Sequence, residues 1–158
     1  YQGGGEMIKE VDFEKTTFAP LPFKFEAGAP NICGVGAFKK AIELIQRIGI
    51  DNIKEYEDKL LSYATEKLTK IRGLKIYGQA KLKSAIISFN IDGIHHYDLG
   101  LILDKMGIAI RTGHHCTQPV MKKFKIAGTA RISFAYYNTF NEIDKCVDAI
   151  EKAKKMLL

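Results

Sequence analysis

The sequence has few cysteines and no long apolar run. Its three cysteines, Cys33, Cys116 and Cys146, are an odd number at wide spacings. That pattern argues against a disulfide framework and for a reducing compartment, so we expect a cytoplasmic protein. No apolar run approaches the roughly 20 residues that span a bilayer, and the first residues lack a signal-peptide pattern. We therefore expect neither a membrane protein nor a secreted one.

The chain also lacks a basic stripe interleaved with aromatic residues. Its 158 residues carry a formal net charge of +6, from 24 basic and 18 acidic residues. Lysines scattered along helices are typical of a solvated surface, so we do not expect nucleic-acid binding. The only histidines are His95, His96, His114 and His115. Structural zinc usually needs four ligands in spaced pairs, and neighbouring residues do not easily all reach one ion, so we expect no metal site.

The most reactive segment runs from Arg111 to Pro119 and holds a thiol, two imidazoles and a guanidinium. Upstream, residues 107–110 predict a short buried strand, and Pro119 suits the first residue of a short helix. Cys116 is therefore predicted on a strand-to-helix loop, where catalytic groups concentrate. From the residues alone, its thiol is a nucleophile, a metal ligand or an ordinary surface group.

The hydrophobic pattern alternates between helical and strand periods. Apolar residues recur every three to four positions in four predicted helices: 35–48, 52–73, 98–106 and 139–157. Asn52 with Glu55 and Thr139 with Glu142 resemble capping boxes. Further predicted strands cover 74–77, 85–91 and 129–137. Cys146 falls in the last apolar stripe and is predicted to be a core residue.

These elements mix without strict alternation of strand and helix. They predict an α+β fold with a small, mostly antiparallel sheet of three to four strands and helices on one face. Residues 1–34 form a predicted extended arm with a possible strand at 7–13, and residues 35–158 a small domain. The arm would not bury itself and should pack on something else. The start without Met, on a Gly-rich loop, suggests a piece of a longer protein.

Four motifs carry a resemblance to a known family. They are Gly3-Gly4-Gly5-Glu6-Met7-Ile8, Phe25-Glu26-Ala27-Gly28-Ala29-Pro30-Asn31, Arg111-Thr112-Gly113-His114-His115-Cys116 and Ala130-Arg131-Ile132-Ser133-Phe134-Ala135-Tyr136-Tyr137-Asn138-Thr139. With these motifs the whole chain resembles the C-terminal part of Suf-type, NifS-like cysteine desulfurases. Those enzymes are class V aminotransferase family members with the fold type I of pyridoxal-phosphate enzymes. The resemblance implies a homodimer that takes sulfur from L-cysteine as an enzyme persulfide and releases L-alanine. It also implies a sulfur-acceptor protein of the Suf type that serves iron–sulfur cluster assembly.

The resemblance implies roles for residues around the reactive segment. Cys116 matches the nucleophile that attacks the substrate sulfur. Arg131 matches the arginine that binds the substrate carboxylate, a task suited to its planar fork. Arg111, His114 and His115 are expected to shape or polarise the loop.

The resemblance also implies pyridoxal 5′-phosphate in the whole protein. Backbone groups of Gly4, Gly5 and Ala29 are the expected phosphate contacts, although three glycines are also typical of a flexible linker. Ala29 stands where many relatives carry a threonine whose hydroxyl reaches the phosphate. The family's Schiff-base lysine lies upstream of Tyr1, so we expect the 158 residues alone to bind no cofactor and to be inactive.

Three alternatives remain open from the sequence. The chain could be a non-catalytic module that presents a persulfide or dimerises. The parent protein could be a selenocysteine lyase. A stand-alone metal-binding domain would require stoichiometric zinc in the purified protein.

Overall fold

The computed structural model describes residues 3–158, which divide into a first compact unit ending at Ile48 and a second unit, Gly49–Leu158. The first unit holds the hairpin of β1 (Ile8–Val11) and β2 (Thr16–Phe18), a 3₁₀ turn at Phe23–Phe25, and helix α1 (Ile32–Ile48). The second unit holds the other elements: α2 (Ile50–Thr69), β3 (Leu74–Tyr77), β4 (Ile86–Ile91), α3 (His96–Lys105), β5 (Arg111–Gly113), α4 (Gln118–Phe124), β6 (Thr129–Ser133) and α5 (Phe140–Leu157). The predicted boundary between residues 34 and 35 stays a prediction.

The second unit is built on a four-stranded sheet in the order β3-β4-β6-β5, with every neighbouring pair antiparallel. Alternate residues of a strand point to opposite faces. Ile87, Phe89 and Ile91 of β4 are buried on the face that α2, α3 and α5 cover. The predicted α+β class with a small antiparallel sheet is confirmed; α2, α3 and α5 cover one face as predicted, and the short helix α4 lies over the other.

Helix α5 begins as predicted and closes the core. The Thr139 hydroxyl accepts the Glu142 backbone N–H at 3.3 Å, and Glu142 Oε2 accepts the Thr139 N–H at 2.8 Å, which is a complete capping box. Cys146 is 8% exposed within the core, as predicted. Burial raises the pKa of the Cys146 thiol to about 11, so it stays protonated at neutral pH.

The predicted capping box at Asn52 is wrong. Helix α2 begins two residues earlier, at Ile50, because Gly49 takes the N-cap position with a φ of 90° and its carbonyl accepts the Ile53 N–H at 3.1 Å. Asn52 therefore lies in the first turn. Glu55 instead accepts a hydrogen bond from Lys59 Nζ at 2.6 Å.

Three strand predictions need correction. The arm holds a hairpin, because β1 pairs with the unpredicted strand β2. Residues 107–110 form no strand; they and residues 132–134 line one cavity of about 300 Å³, and pairing with β6 starts at Arg111. Strand β6 ends at Ser133, because the chain then turns, with Ala135 N–H bonded to Asn138 Oδ1 at 2.9 Å.

Gly128 lies buried where the first residue of α3, the end of β5 and the start of β6 meet. A Cβ atom built on Gly128 would lie 2.6 Å from His96 Nε2 and 2.8 Å from the carbonyl oxygen of Gly113. The Gly128 carbonyl accepts a hydrogen bond from Asn90 Nδ2 at 2.9 Å. Only glycine fits here without moving the backbone at which the Cys116 loop begins.

We expect Gly128→Ala to lower the free energy of unfolding by about 1–3 kcal/mol, the usual cost of overpacking. The measurement is urea-induced unfolding followed by circular dichroism. Gly36→Ala is the matched control: a Cβ at this exposed helical position meets no atom within 4 Å, so stability should rise by about 0.5–1 kcal/mol. Equal stability of the Gly128→Ala chain and the unaltered chain would contradict the close packing.

Candidate functional site

Cys116 lies on a short loop between β5 and α4, so the predicted strand-to-helix placement holds, with Pro119 as the second residue of the helix. Three hydrogen bonds close the loop. The backbone N–H and the hydroxyl of Thr117 both donate to the carbonyl of His114, at 2.9 and 2.8 Å. The backbone N–H of Cys116 donates to Nδ1 of His114 at 3.0 Å, so in neutral His114 the ring proton lies on Nε2.

The loop holds two consecutive residues in the left-handed region, His115 at a φ of 52° and Cys116 at 57°. For residues with a Cβ this conformation costs roughly 1–2 kcal/mol each. The hydrogen bonds made by Thr117 and by the Cys116 amide offset that cost. The result is an exposed thiol on a backbone of defined shape.

His115 points its ring back toward β6. Its Nε2 lies 3.1 Å from the carbonyl oxygen of Thr129 and 2.9 Å from the Thr129 hydroxyl. Because a carbonyl only accepts, Nε2 carries the proton and donates. Burial lowers the pKa of His115 and outweighs the Thr129 hydrogen bond, which favours the charged form; nearby Arg131 and Arg111 lower the pKa further. His115 is therefore a neutral ring, and its buried Nδ1 has no hydrogen-bond partner within residues 3–158.

The other histidine pair lies close to this loop. His96 packs against Gly128, and its pKa is lowered by burial first and then by the charges of His95 and His115. The rings of His95 and His96 are 4.2 Å apart. Across residues 3–158 no three His, Cys, Asp or Glu side chains are grouped to hold a metal ion.

Arg111 and Arg131 lie directly opposite each other on β5 and β6. Like charges in such a cross-strand pair repel. Neither arginine takes part in a salt bridge in the described part of the chain, and the buried Arg131 Nε has no hydrogen-bond partner there. Two arginines without a carboxylate partner favour an anion nearby, and a guanidinium group binds carboxylates and phosphates with two parallel hydrogen bonds.

Helix α4 lies over the sheet face opposite to the core. A cleft of about 300 Å³ separates α4 from this face. Arg131, His115 and Thr117 form its polar end, while Val120 and Phe124 of α4 form part of its apolar wall. The cleft joins the loop of the thiol to an apolar surface.

Within the first unit, the structure brings the triglycine and the segment around Gly28 together. A Cβ on Gly4 would lie 2.7 Å from the Gly28 nitrogen and 3.1 Å from Ala27 atoms, so the two backbones approach as only glycine allows. Gly28 has a φ of 84°. Gly5 has open space beside it, and Ala29 is exposed. Such a cradle suits a phosphate held by backbone N–H groups, which fits the donor set predicted for Gly4, Gly5 and Ala29.

Sequence reasoning missed the residues that support the loop from behind: Asn90, His96, Gly128 and Thr129. Two signals were present. Asn90 is a polar residue inside the apolar run of β4, and Thr129 follows a glycine at the start of β6. Thr129 is 1% exposed, so a buried hydroxyl required a partner, which is His115.

Known proteins resemble this chain in sequence. The sequence pattern of the Aminotransferase class-V family matches residues 1–146. A probable cysteine desulfurase of Xylella fastidiosa is 45% identical over 157 residues, and a cysteine desulfurase of Wigglesworthia glossinidia brevipalpis is 46% identical over 158. Each alignment covers 99% of this chain but 38% of the relative, so the chain spans well under half the length of these relatives.

Solved structures agree in fold over nearly the whole chain. The cysteine desulfurase CsdA of Escherichia coli, in its S-sulfonic acid form, has a TM-score of 0.82 at 34% identity over 100% of this chain and 39% of its own. The apo cysteine desulfurase of Thermococcus onnurineus has a TM-score of 0.81 at 38% identity over 98% of this chain and 39% of its own. None of the helices within residues 3–158 is long and apolar enough to cross a membrane. On these grounds the chain belongs to the class V aminotransferase family.

Proposed function

We propose that this chain is the part of a Suf-type cysteine desulfurase that accepts sulfur from L-cysteine on Cys116 as a persulfide, with release of L-alanine. The observation that carries the proposal is an exposed thiol on a strained, hydrogen-bonded loop that continues from β5, whose Arg111 lies opposite Arg131 of β6. A nucleophile and a carboxylate site are the two features that a free amino acid with a reactive sulfur requires. The similarity of the whole chain to cysteine desulfurases supports the same assignment.

The arginines orient the substrate. We assign the L-cysteine carboxylate to Arg131, whose planar fork can donate two parallel hydrogen bonds. Arg111, directly opposite on β5, adds positive charge to the same place. A bound carboxylate also relieves the repulsion between the two guanidinium groups, so binding is favoured by the fold itself.

Cys116 then takes the sulfur. Its thiolate attacks the substrate sulfur, a bond forms between the two sulfur atoms, and the bond between the substrate sulfur and Cβ breaks with its electrons on Cβ. A proton added to Cβ completes L-alanine, and Cys116 keeps the persulfide. His114 holds the Cys116 backbone through its Nδ1, and neutral His115 anchors the loop to Thr129, so both are positioning residues.

The first unit fits pyridoxal 5′-phosphate through its backbone alone. Gly4 and Gly5 with the loop at Gly28 would hold the phosphate, and Ala29 would contribute only its main chain. The cofactor supplies an electron sink that makes the Cβ–sulfur bond of the substrate labile. No lysine of this chain lies in a motif that matches the family's Schiff-base lysine, so we propose that the 158 residues alone release no alanine.

We further propose a cytoplasmic homodimer that passes sulfur to a Suf-type acceptor for iron–sulfur cluster assembly. Support for the homodimer comes from α1, none of whose residues is buried. Val35 and Phe38 of its apolar face are 69% and 66% exposed. An apolar helix face of this kind favours a covering partner.

Cys116→Ser in the longer protein that contains this chain should reduce alanine formation from L-cysteine to the rate measured without protein, because serine accepts no sulfur from the substrate. Intact-mass analysis of the unaltered protein after one turnover should show one added sulfur atom, on Cys116. Cys33→Ser is the control, since Cys33 is also exposed. Alanine formation that continues in Cys116→Ser, or is lost in Cys33→Ser, would contradict the assignment of Cys116 as the sulfur acceptor.

Arg131→Lys in the same protein should raise the KM for L-cysteine by about tenfold, equivalent to about 1.4 kcal/mol, because lysine keeps the charge but loses the bidentate fork. Steady-state kinetics of alanine release measures it. Arg72→Lys, an exposed position in the turn before β3, is the control. An unchanged KM in Arg131→Lys would contradict the assignment of the substrate carboxylate to Arg131.

A further inference from the structure

We propose that the exposed surface of α4 beside the Cys116 loop docks an acidic segment of the protein that receives sulfur. We call this surface the α4 surface and define it by Val120, Lys122, Lys123, Phe124 and Lys125. The proposal rests on the proposed function, since it names the kind of partner that the persulfide on Cys116 would meet.

The charges of the second unit are segregated. Residues 73–91 and 105–141 contain nine lysines and arginines and no aspartate or glutamate. These two stretches supply all four strands of the sheet, the Cys116 loop and α4. The carboxylates of this unit lie instead on α2, α3 and α5 and at Asp92. Three of the nine lysines and arginines lie elsewhere: Lys105 ends α3, and Lys81 and Lys83 lie beside α2. The other six lie on the strands, on α4 and at its C-cap, so the sheet face opposite to the core helices, beside the Cys116 loop, attracts anions.

The lysines of the α4 surface are available to a partner. Lys122, Lys123 and Lys125 are exposed, and none takes part in a salt bridge in the part of the chain that the structure describes. Lys75 Nζ lies 5.4 Å from the centre of the ring of Tyr77, which lines the cleft. Glutamate or aspartate side chains of a partner would find no competing carboxylate here.

An apolar patch lies among these charges. Val120 and Phe124 are each 44% exposed and, being four residues apart, share one side of α4. The Phe124 ring packs edge to face on Tyr77, with the centroids 5.4 Å apart. An apolar partner side chain can bury itself on this patch or in the adjoining cleft, while its acidic neighbours pair with the lysines.

This combination favours a protein segment over a nucleic acid. Proteins that bind single strands offer open ring faces on which bases stack, whereas here the two rings pack edge to face and Lys75 lies over the Tyr77 ring. A nucleic acid also brings no thiol. A docked acceptor thiolate would attack the outer sulfur of the Cys116 persulfide, the bond between the two sulfurs would break, and the Cys116 thiolate would leave, with no other oxidant or reductant.

The test uses peptides that exchange disulfides with Cys116 and so needs no persulfide. Each peptide holds one cysteine joined to thionitrobenzoate, a leucine two residues away, and four flanking glutamates, glutamines or lysines. The Cys116 thiolate forms the mixed disulfide and releases coloured thionitrobenzoate. The protein is the 158-residue chain with Cys33→Ser, so that Cys116 is the exposed thiol. We expect the glutamate peptide to react about tenfold faster than the glutamine peptide at low salt, with the advantage lost at high salt.

Charge reversal locates the surface. Lys122→Glu, Lys123→Glu and Lys125→Glu together should abolish the preference for the glutamate peptide. The matched control reverses the exposed Lys145, Lys152 and Lys155 on α5, which changes the net charge equally and should leave the preference in place. Phe124→Ser should slow the reaction of Cys116 with the glutamate peptide. It should not change the rate with a glutamate peptide that has serine in place of leucine. A small neutral disulfide, dithiodipyridine, checks that intrinsic Cys116 reactivity is unchanged.

Three outcomes would overturn the proposal. One is equal rates for the glutamate and lysine peptides. Another is that reversing the α5 lysines abolishes the preference for the glutamate peptide as fully as reversing the α4 lysines does. That result would show that the net charge of the protein attracts the peptide, without a docking site on α4. The third is an oligothymidine of equal charge that blocks the exchange at lower concentration than a cysteine-free glutamate peptide. None of these depends on alanine release, so failure here is distinct from failure of the proposed function.

Discussion

The candidate site depends on the short antiparallel pairing of β5 with β6. Three residue pairs set it: Arg111 with Arg131, Thr112 with Ala130, and Gly113 with Thr129. The first pair puts two arginines opposite each other, and the last fixes where the strand ends and the Cys116 loop begins. A shift of one residue would turn Arg131 toward the core face and bring Ala130 out. Register therefore specifies the anion site and the start of the loop together.

What holds that register is packing behind the sheet as much as the backbone ladder. The methyl group of Thr112 lies so close to Gly100 of α3 that a Cβ there would come within 2.7 Å of it. His96, at the start of α3, lies just as tightly against Gly128. Helix α3 thus contacts both ends of the β5–β6 connection. The strained loop can persist because its flanks are fixed on a core that contributes far more than the few kcal/mol that two left-handed residues cost.

Much of the fold could be predicted because its signals are local. The helical periods of α2 and α5, the strand at 74–77 and the Thr139 capping box each depend on residues close in sequence. The predictions failed where contacts between residues distant in sequence determine the structure. Residues 107–110 have a strand's composition, but they do not pair with residues 132–134, with which they line a cavity. The position of Cys116 was predictable from its flanks, whereas its support by Thr129 depends on a contact 14 residues away.

The charge distribution shows a similar limit of sequence reading. Read along the chain, the lysines look scattered, because acidic and basic residues alternate on the helices. In the folded second unit, the carboxylates lie on the helices that cover the core and at Asp92. The strands, the Cys116 loop and α4 carry lysines and arginines and no carboxylate. Taking sulfur from an amino acid and handing it on are chemically separate steps, and only the first needs a cofactor. The thiol, its loop and the α4 surface all lie within Gly49–Leu158, so this unit holds what the second step requires. In the proposed function, a cationic surface beside the thiol would serve that step by concentrating an acidic acceptor near Cys116.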